Sequence, residues 1–198
     1  MQAQATRREI VAAARALFAD RGYGATTIAE IARAARVSPQ TIYDSVGSKA
    51  RIVALLNDLI DAEAGVGEVA AGLATAVDAQ AVLRIQVQIP LRILERCGDI
   101  VRAASQAGVS EPELAAVRME GQRRHAAGCE RTAARLGQMR ALRIPVREAG
   151  LTLTALTDVV WWVMLQDDYG WSATRVAEWA EESLTRLLLA APGDAQQA

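Results

Sequence analysis

Three helix-start signals follow one another within 22 residues near the N-terminus, which leaves room only for short helices between them. Thr27 opens the stretch Thr-Ile-Ala-Glu, a capping box in which the Glu30 carboxylate reaches back to the threonine backbone. Ser38 followed by Pro39 is an N-cap with proline at the first helical position, and Ser48 is a further N-cap. The spacing therefore predicts two short helices joined by a tight turn, with another helix following at once.

The segments on either side also have helical periodicity. An apolar stripe that includes Ile10 and Phe18 ends at Gly22, which predicts a first helix over residues 6–21. Residues 84–94 alternate apolar and polar side chains as a strand would, but no second strand exists to pair with them, so a helix kinked at its proline is predicted. Further helices are predicted over residues 111–139, 146–166 and 173–189, and the predicted fold class is all-α.

The second of the two short helices carries side chains suited to the DNA major groove, where a helix-turn-helix places its second helix. Gln40 suits adenine, and the methyl group of Thr41 suits thymine. Tyr43 offers a hydroxyl to a phosphate and a ring to a sugar. The pattern predicts double-stranded DNA as a partner.

Lys49 is the single lysine in a chain with 21 arginines, and it stands in the first turn of the helix that Ser48 begins. There an ammonium group and the backbone amides of the helix N-terminus could hold one phosphate together. The alternative is a solvated side chain, which the helix dipole slightly disfavours at this end. We therefore predict a phosphate contact for Lys49.

Charge and composition narrow the class of protein. Residues 1–53 carry a net charge of +4 and the remainder −5, which predicts a basic DNA-binding region on an acidic body. Cys97 and Cys129 have no CxxC spacing, so neither a disulfide framework nor a zinc site is indicated, and no cofactor is predicted. No apolar run of ~18 residues and no signal core are evident, so a cytoplasmic protein without membrane contact is predicted.

The stretch from Phe18 to Ile52, FADRGYGATTIAEIARAARVSPQTIYDSVGSKARI, resembles the DNA-binding domain of tetracycline-repressor (TetR) type regulators. The matching residues are Phe18, Gly22, Tyr23, Thr26, Thr27, Ile28, Ile31, Ala32, Ala35, Val37, Ser38, Thr41, Ile42, Tyr43, Gly47, Ser48 and Lys49.

The resemblance implies a dimeric repressor in which residues 1–50 form a helix-turn-helix DNA-binding domain and residues 51–198 form a helical ligand-binding and dimerisation domain. It implies phosphate contacts by Thr27, Tyr43 and Lys49, and base-edge contacts by Gln40, Thr41 and the neighbouring Ser38.

Three departures from the family pattern bear on DNA affinity. Arg36 stands where a turn glycine is usual, and a left-handed residue there costs ~1–2 kcal/mol, although its charge faces the expected DNA side. Ser45 replaces a usual His or Tyr, which removes a phosphate contact. Val46 replaces a usual Phe, which leaves less apolar surface. We expect weaker DNA binding, or compensation by Arg7, Arg8 and Arg36.

The resemblance also implies that the last two helices pair across a two-fold axis, and the last helix has one apolar and one charged side. The predicted dimer interface consists of Val176, Ala180, Leu184, Leu187 and Leu188.

The ligand site is less specific in sequence. Trp161 and Trp162 point ~100° apart on a helix, so one can face a partner and the other the interior, although core packing explains either. His125 and Cys129 share a helical face that could hold a metal, but no third ligand has matching spacing, so no metal site is predicted. Asp158 in an apolar helix needs a hydrogen-bond partner. The residues predicted to line a ligand pocket are Met119, Gln122, His125 and Trp162.

The function predicted from these features is a repressor released from its operator by a small, largely apolar ligand. One alternative is a DNA-binding regulator that needs no ligand, or an activator, and a filled body without a cavity would favour it. Another alternative is a helical enzyme. The lone histidine and the lack of an HExxH, P-loop or nucleophile motif argue against catalysis.

Overall fold

The computed structural model describes residues 2–108 and 113–190, with only the backbone of Gln2 and Glu113. Within these ranges the only extended pairing is one isolated bridge between Leu142 and Leu189, which confirms the all-α class. The helices are α1 Gln2–Ala25, α2 Ile28–Ala34, α3 Pro39–Ser45, α4 Lys49–Asn57, α5 Ile60–Glu63, α6 Val66–Ala71, α7 Ala79–Gly108, α8 Glu113–Gln138, α9 Val146–Leu156, α10 Val159–Asp167 and α11 Ala173–Leu188, with a 3-10 turn at Gly72–Ala74.

The chain divides into two compact units. The N-terminal unit comprises Met1–Ile60 with Cys97–Glu120, and the C-terminal unit comprises Asp61–Arg96 with Gly121–Ala198, taken over the described residues. This division differs from the predicted boundary after residue 50, because α4 packs on α1 and buries most of its apolar side chains in the N-terminal unit.

The N-terminal unit is built around apolar side chains from its first four helices. Ile10, Ile31, Ile42 and Ile52, one from each of α1 to α4, are completely buried. The periodic stripes that predicted the helices are thus the faces that meet in this core. Their burial leaves the polar side of α3 outward.

Helix ends in this unit follow the predicted signals. α1 starts earlier than predicted, at Gln2, and departs from helical geometry at Gly22, whose φ of 79° favours glycine. The Thr27 capping box is complete, with its side chain accepting from the Glu30 backbone N–H. Ser38 and Ser48 cap α3 and α4 in the same manner.

In α7, where a kink was predicted at Pro90, that proline keeps helical backbone dihedrals. The residue with non-helical dihedrals is Cys97, with φ −134° and ψ 15°, and the two units divide at this residue. A proline ring has a φ compatible with a helix and removes one backbone hydrogen bond, so a long helix can retain it. The predicted start of α8 at residue 111 lies outside the described residues.

The apolar segment predicted as one helix over residues 146–166 is two helices. α9 ends at Leu156, and Asp158 caps α10 by accepting a 2.9 Å hydrogen bond from the Val160 N–H. This bond supplies the partner that Asp158 was predicted to need, and it explains the break, because a cap residue has extended backbone dihedrals.

Candidate functional site

The turn between α2 and α3 has the geometry of a helix-turn-helix. Arg36 adopts a left-handed φ of 55°, with its N–H bonded to the Arg33 carbonyl at 3.2 Å. The Val37 N–H donates to the Ala32 carbonyl at 3.0 Å, which completes a Schellman end to α2. Arg36 is exposed, and no carboxylate among residues 2–108 and 113–190 pairs with it. Its guanidinium is therefore available to an anion.

The left-handed Arg36 gives a prediction in which stability and DNA affinity change in opposite directions. Arg36→Gly removes the steric cost of the left-handed backbone, so the free energy of unfolding should rise by about 0.5–1 kcal/mol after the entropy of glycine is counted. Affinity for DNA should fall in the same variant if Arg36 neutralises a phosphate. Urea denaturation and a DNA titration measure the two quantities.

Arg140 supplies the matched control for this substitution. It lies in the C-terminal unit with a φ of 53°. Arg140→Gly should stabilise the protein by a similar amount and leave DNA affinity unchanged. Loss of stability in Arg36→Gly would contradict the prediction.

The Thr27 cap is a closed hydrogen-bond unit at the exposed start of α2. The Glu30 carboxylate accepts from the Thr27 N–H at 2.9 Å and from its hydroxyl at 2.8 Å. These bonds, the backbone one above all, hold the pKa of the Glu30 carboxyl below its ordinary value. Thr27 is exposed, so it can still present its hydroxyl oxygen to solvent or to a phosphate-bound water.

The outward side of α3 gathers four of the predicted contact residues. Ser38 accepts from the Thr41 N–H at 3.0 Å, and the two hydroxyl oxygens lie 2.8 Å apart. Tyr43 is 55% exposed although it is aromatic. Gln40 is exposed, and its Nε2 donates to Asp44 Oδ1 at 2.8 Å.

Asp44 was not among the residues predicted to contact DNA. Its side chain shares the exposed side of α3 with Gln40, four residues earlier. The i, i+4 spacing was visible in the sequence and could have indicated the pair.

Lys49 has a different setting from the one expected at a helix N-terminus. Its Nζ donates to the backbone carbonyls of Tyr23 and Thr26, each at 2.9 Å. The ammonium also lies 4.0 Å from the centre of the Tyr23 ring, within cation–π range. Lys49 is half-buried and ties α4 to the end of α1, so it has a structural role besides any contact with phosphate.

An ion pair joins α1 to the Cys97–Gly108 part of α7 inside the N-terminal unit. The Arg15 guanidinium donates to both oxygens of Asp99, at 2.6 and 3.0 Å. Burial raises the pKa of Asp99, but these bonds outweigh it and hold the pKa below its ordinary value. Nearby, the Gln106 side-chain oxygen accepts from the Tyr23 N–H at 2.9 Å. Helices α1 and α7 are thus tied at two points.

The four residues predicted to line a ligand pocket have different settings within their own units. Met119 belongs to the N-terminal unit and is exposed, as is Gln122 in the C-terminal unit. Trp162 is buried in the core, where its indole N–H donates to the Leu156 carbonyl at 2.9 Å. Trp161 is 58% exposed, so the two tryptophans do point in different directions as predicted.

His125 belongs to a polar cluster in the C-terminal unit. Its Nε2 lies 3.1 Å from the Thr154 carbonyl, to which it donates because a carbonyl only accepts. The Cys129 sulfur lies 3.8 and 3.9 Å from the two ring nitrogens, 3.7 Å from the Thr157 hydroxyl and 3.6 Å from Gln86 Nε2. Among the described residues no group of three metal-ligating side chains is present.

The histidine and the cysteine alter each other's protonation. Burial lowers the pKa of His125, but the hydrogen bond and charge of Cys129 outweigh it and raise the pKa above its ordinary value. Burial raises the pKa of the Cys129 thiol, and His125 reverses this to a net lowering.

The pair can be tested directly because the chain has one histidine, so its imidazole NMR signal needs no assignment. The imidazole should titrate with a pKa above ~6.5, and Cys129→Ala should lower that pKa. Cys97→Ala, which removes the other buried cysteine, should leave it unchanged. An equal pKa in wild type and Cys129→Ala would contradict the coupling.

A cavity of about 560 Å³ opens on α8 and α9 in the C-terminal unit, and none of the predicted ligand residues is among the residues that line it. Its lining is mainly apolar, with charged groups from Glu130 and Arg147. The Thr154 position, whose carbonyl binds His125, is part of its wall. The full lining is Ala126, Glu130, Val146, Arg147, Gly150, Leu151 and Thr154.

The predicted dimer interface on α11 was wrong for four of its five residues. Val176, Ala180, Leu184 and Leu188 are completely buried within the chain, because this stripe packs on α9 and α10. Leu187 is 51% exposed. The large apolar side chains of the last three helices that do reach the surface, here called the exposed apolar face, are Val146, Leu151, Val160, Trp161, Trp179 and Leu187.

The segment Val146–Asp167 is also long and apolar enough to cross a membrane by length and composition, with 33% of it buried. The sequence-based expectation had found no such run. Asp158 interrupts the segment near its middle and ends the continuous helix, which a membrane span would require for its backbone hydrogen bonds. The exposed apolar groups of this segment therefore need another explanation.

Solved structures share this fold. The chain aligns with a transcriptional regulator from Saccharomonospora viridis in complex with choline at 21% identity, covering 95% of this chain and 100% of that one, with a TM-score of 0.77. It aligns with NalD of Pseudomonas aeruginosa, the secondary repressor of the MexAB-OprM multidrug efflux pump, at 21% identity, 95% and 98% coverage and a TM-score of 0.70. A protein of Mesorhizobium loti described as a tetR-family transcriptional regulator has 19% identity, 96% and 100% coverage and a TM-score of 0.70.

These similarities show the fold, and the sequence match is confined to its N-terminal part. No curated protein sequence matches the chain significantly. Residues 10–56 match the model of bacterial regulatory proteins of the tetR family.

A helix-turn-helix with an outward second helix, joined to a helical body, defines a DNA-binding transcriptional regulator. The match over α1 to α4 and the shared fold of the whole chain make the assignment more specific. Residues 10–56 match the tetR family of bacterial regulatory proteins, and the whole chain shares the fold of a solved regulator described as a member of that family.

Proposed function

We propose that the protein is a cytoplasmic homodimeric repressor that leaves its operator when a small, largely apolar ligand binds the C-terminal unit. The observation that carries the proposal is the outward side of α3, where Ser38, Gln40, Thr41 and Tyr43 stand on a helix anchored by buried Ile42. Such a helix fits the major groove.

The DNA contacts divide into two kinds. Gln40 and Thr41 in the first turn of α3, and Ser38 at its N-cap, are proposed to contact base edges. Thr27, Arg36, Tyr43 and Lys49 are proposed to hold phosphates, which give affinity without sequence preference.

The exposed apolar face supports a homodimer. Trp179 and Leu187, eight residues apart on α11, are 39% and 51% exposed. Trp161 on α10 is exposed as well. A second copy would remove these side chains from water, and two copies would match the two half-sites of an operator.

The cavity on α8 and α9 supports the proposal that the C-terminal unit binds a ligand. Its volume suits a small molecule, and its wall is mainly apolar with charged groups from Glu130 and Arg147. A C-terminal unit without such a cavity would have favoured the ligand-independent alternative.

The proposal is tested by selecting duplexes from a random-sequence library with the purified protein and then seeking small apolar compounds that release the selected duplex. Sedimentation of the complex should show two copies per duplex. Ala126→Phe, which places a ring in the cavity, should bind the duplex normally and lose its response to such a compound. Absence of any selected duplex would overturn the DNA-binding proposal, and release that Ala126→Phe retains would overturn the ligand site.

A further inference from the structure

The outward side of α3 contains one carboxylate, and it is bonded to the side chain best suited to read a base. Gln40 Nε2 donates to Asp44 Oδ1 at 2.8 Å, and both side chains are exposed. A carboxylate so near the DNA backbone weakens binding by charge repulsion. A carboxylate on α3, the helix proposed to enter the major groove, is therefore best explained by a role in sequence preference.

The bond decides how the Gln40 amide is turned. An ionised carboxylate accepts hydrogen bonds and cannot donate them, so the amide must direct its NH₂ group, rather than its oxygen, toward Asp44. The second N–H of Nε2 and the Oε1 oxygen remain free for another partner. This leaves one donor and one acceptor side by side, the pair that adenine N7 and N6 require.

Asp44 has an oxygen to spare after this bond. Gln40 bonds to Oδ1, and within residues 2–108 and 113–190 no hydrogen bond reaches Oδ2. In the major groove a carboxylate oxygen accepts from the N4 amino group of cytosine. Because Gln40 and Asp44 touch each other, we expect the two bases that they contact to lie in neighbouring base pairs.

We propose that Asp44 is a specificity-determining residue that holds Gln40 in the orientation for adenine and itself accepts from a cytosine in the adjacent base pair. The inference rests on the proposed function, since it assigns base preferences to the DNA-binding helix. It predicts an adenine and a cytosine next to each other in each half-site.

The test compares base preferences of the full-length protein and its variants by library selection, followed by titration of single-base variants of the selected duplex. Gln40→Ala should lose the preference at the adenine position by about tenfold. Asp44→Ala should lose about tenfold at the cytosine position and, because Gln40 is no longer held, part of the adenine preference as well.

Asp44→Asn separates the two parts of the role. Its side-chain oxygen can still accept from Gln40, so the adenine preference should be kept. It has no second carboxylate oxygen, so the cytosine preference should fall about tenfold. Affinity for unrelated DNA should rise, since one negative charge per copy is removed.

Glu9→Gln is the control for charge alone, because Glu9 is an exposed carboxylate on α1 of the same unit. It should leave every base preference unchanged. Melting temperatures measured by circular dichroism check that the variants fold. We expect them to fold, because the substituted side chains are exposed.

The outcomes are distinguishable. A wild-type protein that selects no duplex would overturn the proposed function and this inference with it. A wild type that selects a defined operator while Asp44→Ala and Asp44→Asn keep its full base preferences would overturn the inference alone. A loss at the cytosine position in both variants, with the adenine preference kept only in Asp44→Asn, supports it.

Discussion

Trp161→Glu or Leu187→Glu should convert the dimer into a monomer and lower operator affinity by at least ~100-fold. Both side chains are more than half exposed on the apolar face, so a charge there remains solvated in the monomer and is buried unpaired in the dimer. A monomer binds one half-site and loses the effective concentration that joins two binding events. Sedimentation at micromolar protein and titration of the selected duplex measure the two effects.

Two further variants separate loss of the interface from other damage. Leu59→Glu adds the same charge at an exposed apolar position of the N-terminal unit and should leave the dimer intact. Leu184→Glu should instead unfold the C-terminal unit, because Leu184 is completely buried. A monomeric wild type, or a dimer that survives both Trp161→Glu and Leu187→Glu, would refute the proposed interface.

Lys49→Met should lower the free energy of unfolding by about 2 kcal/mol. The variant keeps an apolar stem but removes the charged donor of two hydrogen bonds and of the contact with the Tyr23 ring. This loss of stability is at the low end of the range for hydrogen bonds to charged groups, because Lys49 is only half-buried and water screens its charge. Urea denaturation of the full chain measures it.

The same variant tests the phosphate contact. The ammonium has three N–H groups, of which the two carbonyls use two, so a phosphate would share the third side of the ammonium with the Tyr23 ring. A contact in each copy predicts that the slope of log affinity against log salt becomes flatter by about two per dimer. Arg51→Met, an exposed cation on the same helix, should cost little stability. An unchanged slope in a folded Lys49→Met dimer would restrict this lysine to its structural role.

Local sequence determined the helix ends of the DNA-binding region. The Thr27–Glu30 box and the Ser38 and Ser48 caps each depend on groups within three residues, so the chain carries the whole interaction in one short stretch. The left-handed conformation of Arg36 was expected for a different reason, because the family pattern usually has a turn glycine at this position. Asp158 shows the limit, since a cap inside a long apolar run was recognised as needing a partner but not as a helix break.

Tertiary structure decided which groups the correctly predicted helices would meet. An amphipathic α11 offers the same apolar stripe to its own unit or to a partner, and only the packing of α9 and α10 against it showed that Leu184 is interior and that Leu187 is not. Lys49 likewise lies 23 and 26 residues from the carbonyls that it binds. Such long-range contacts depend on how the helices fold back on one another, which periodicity and capping signals do not specify.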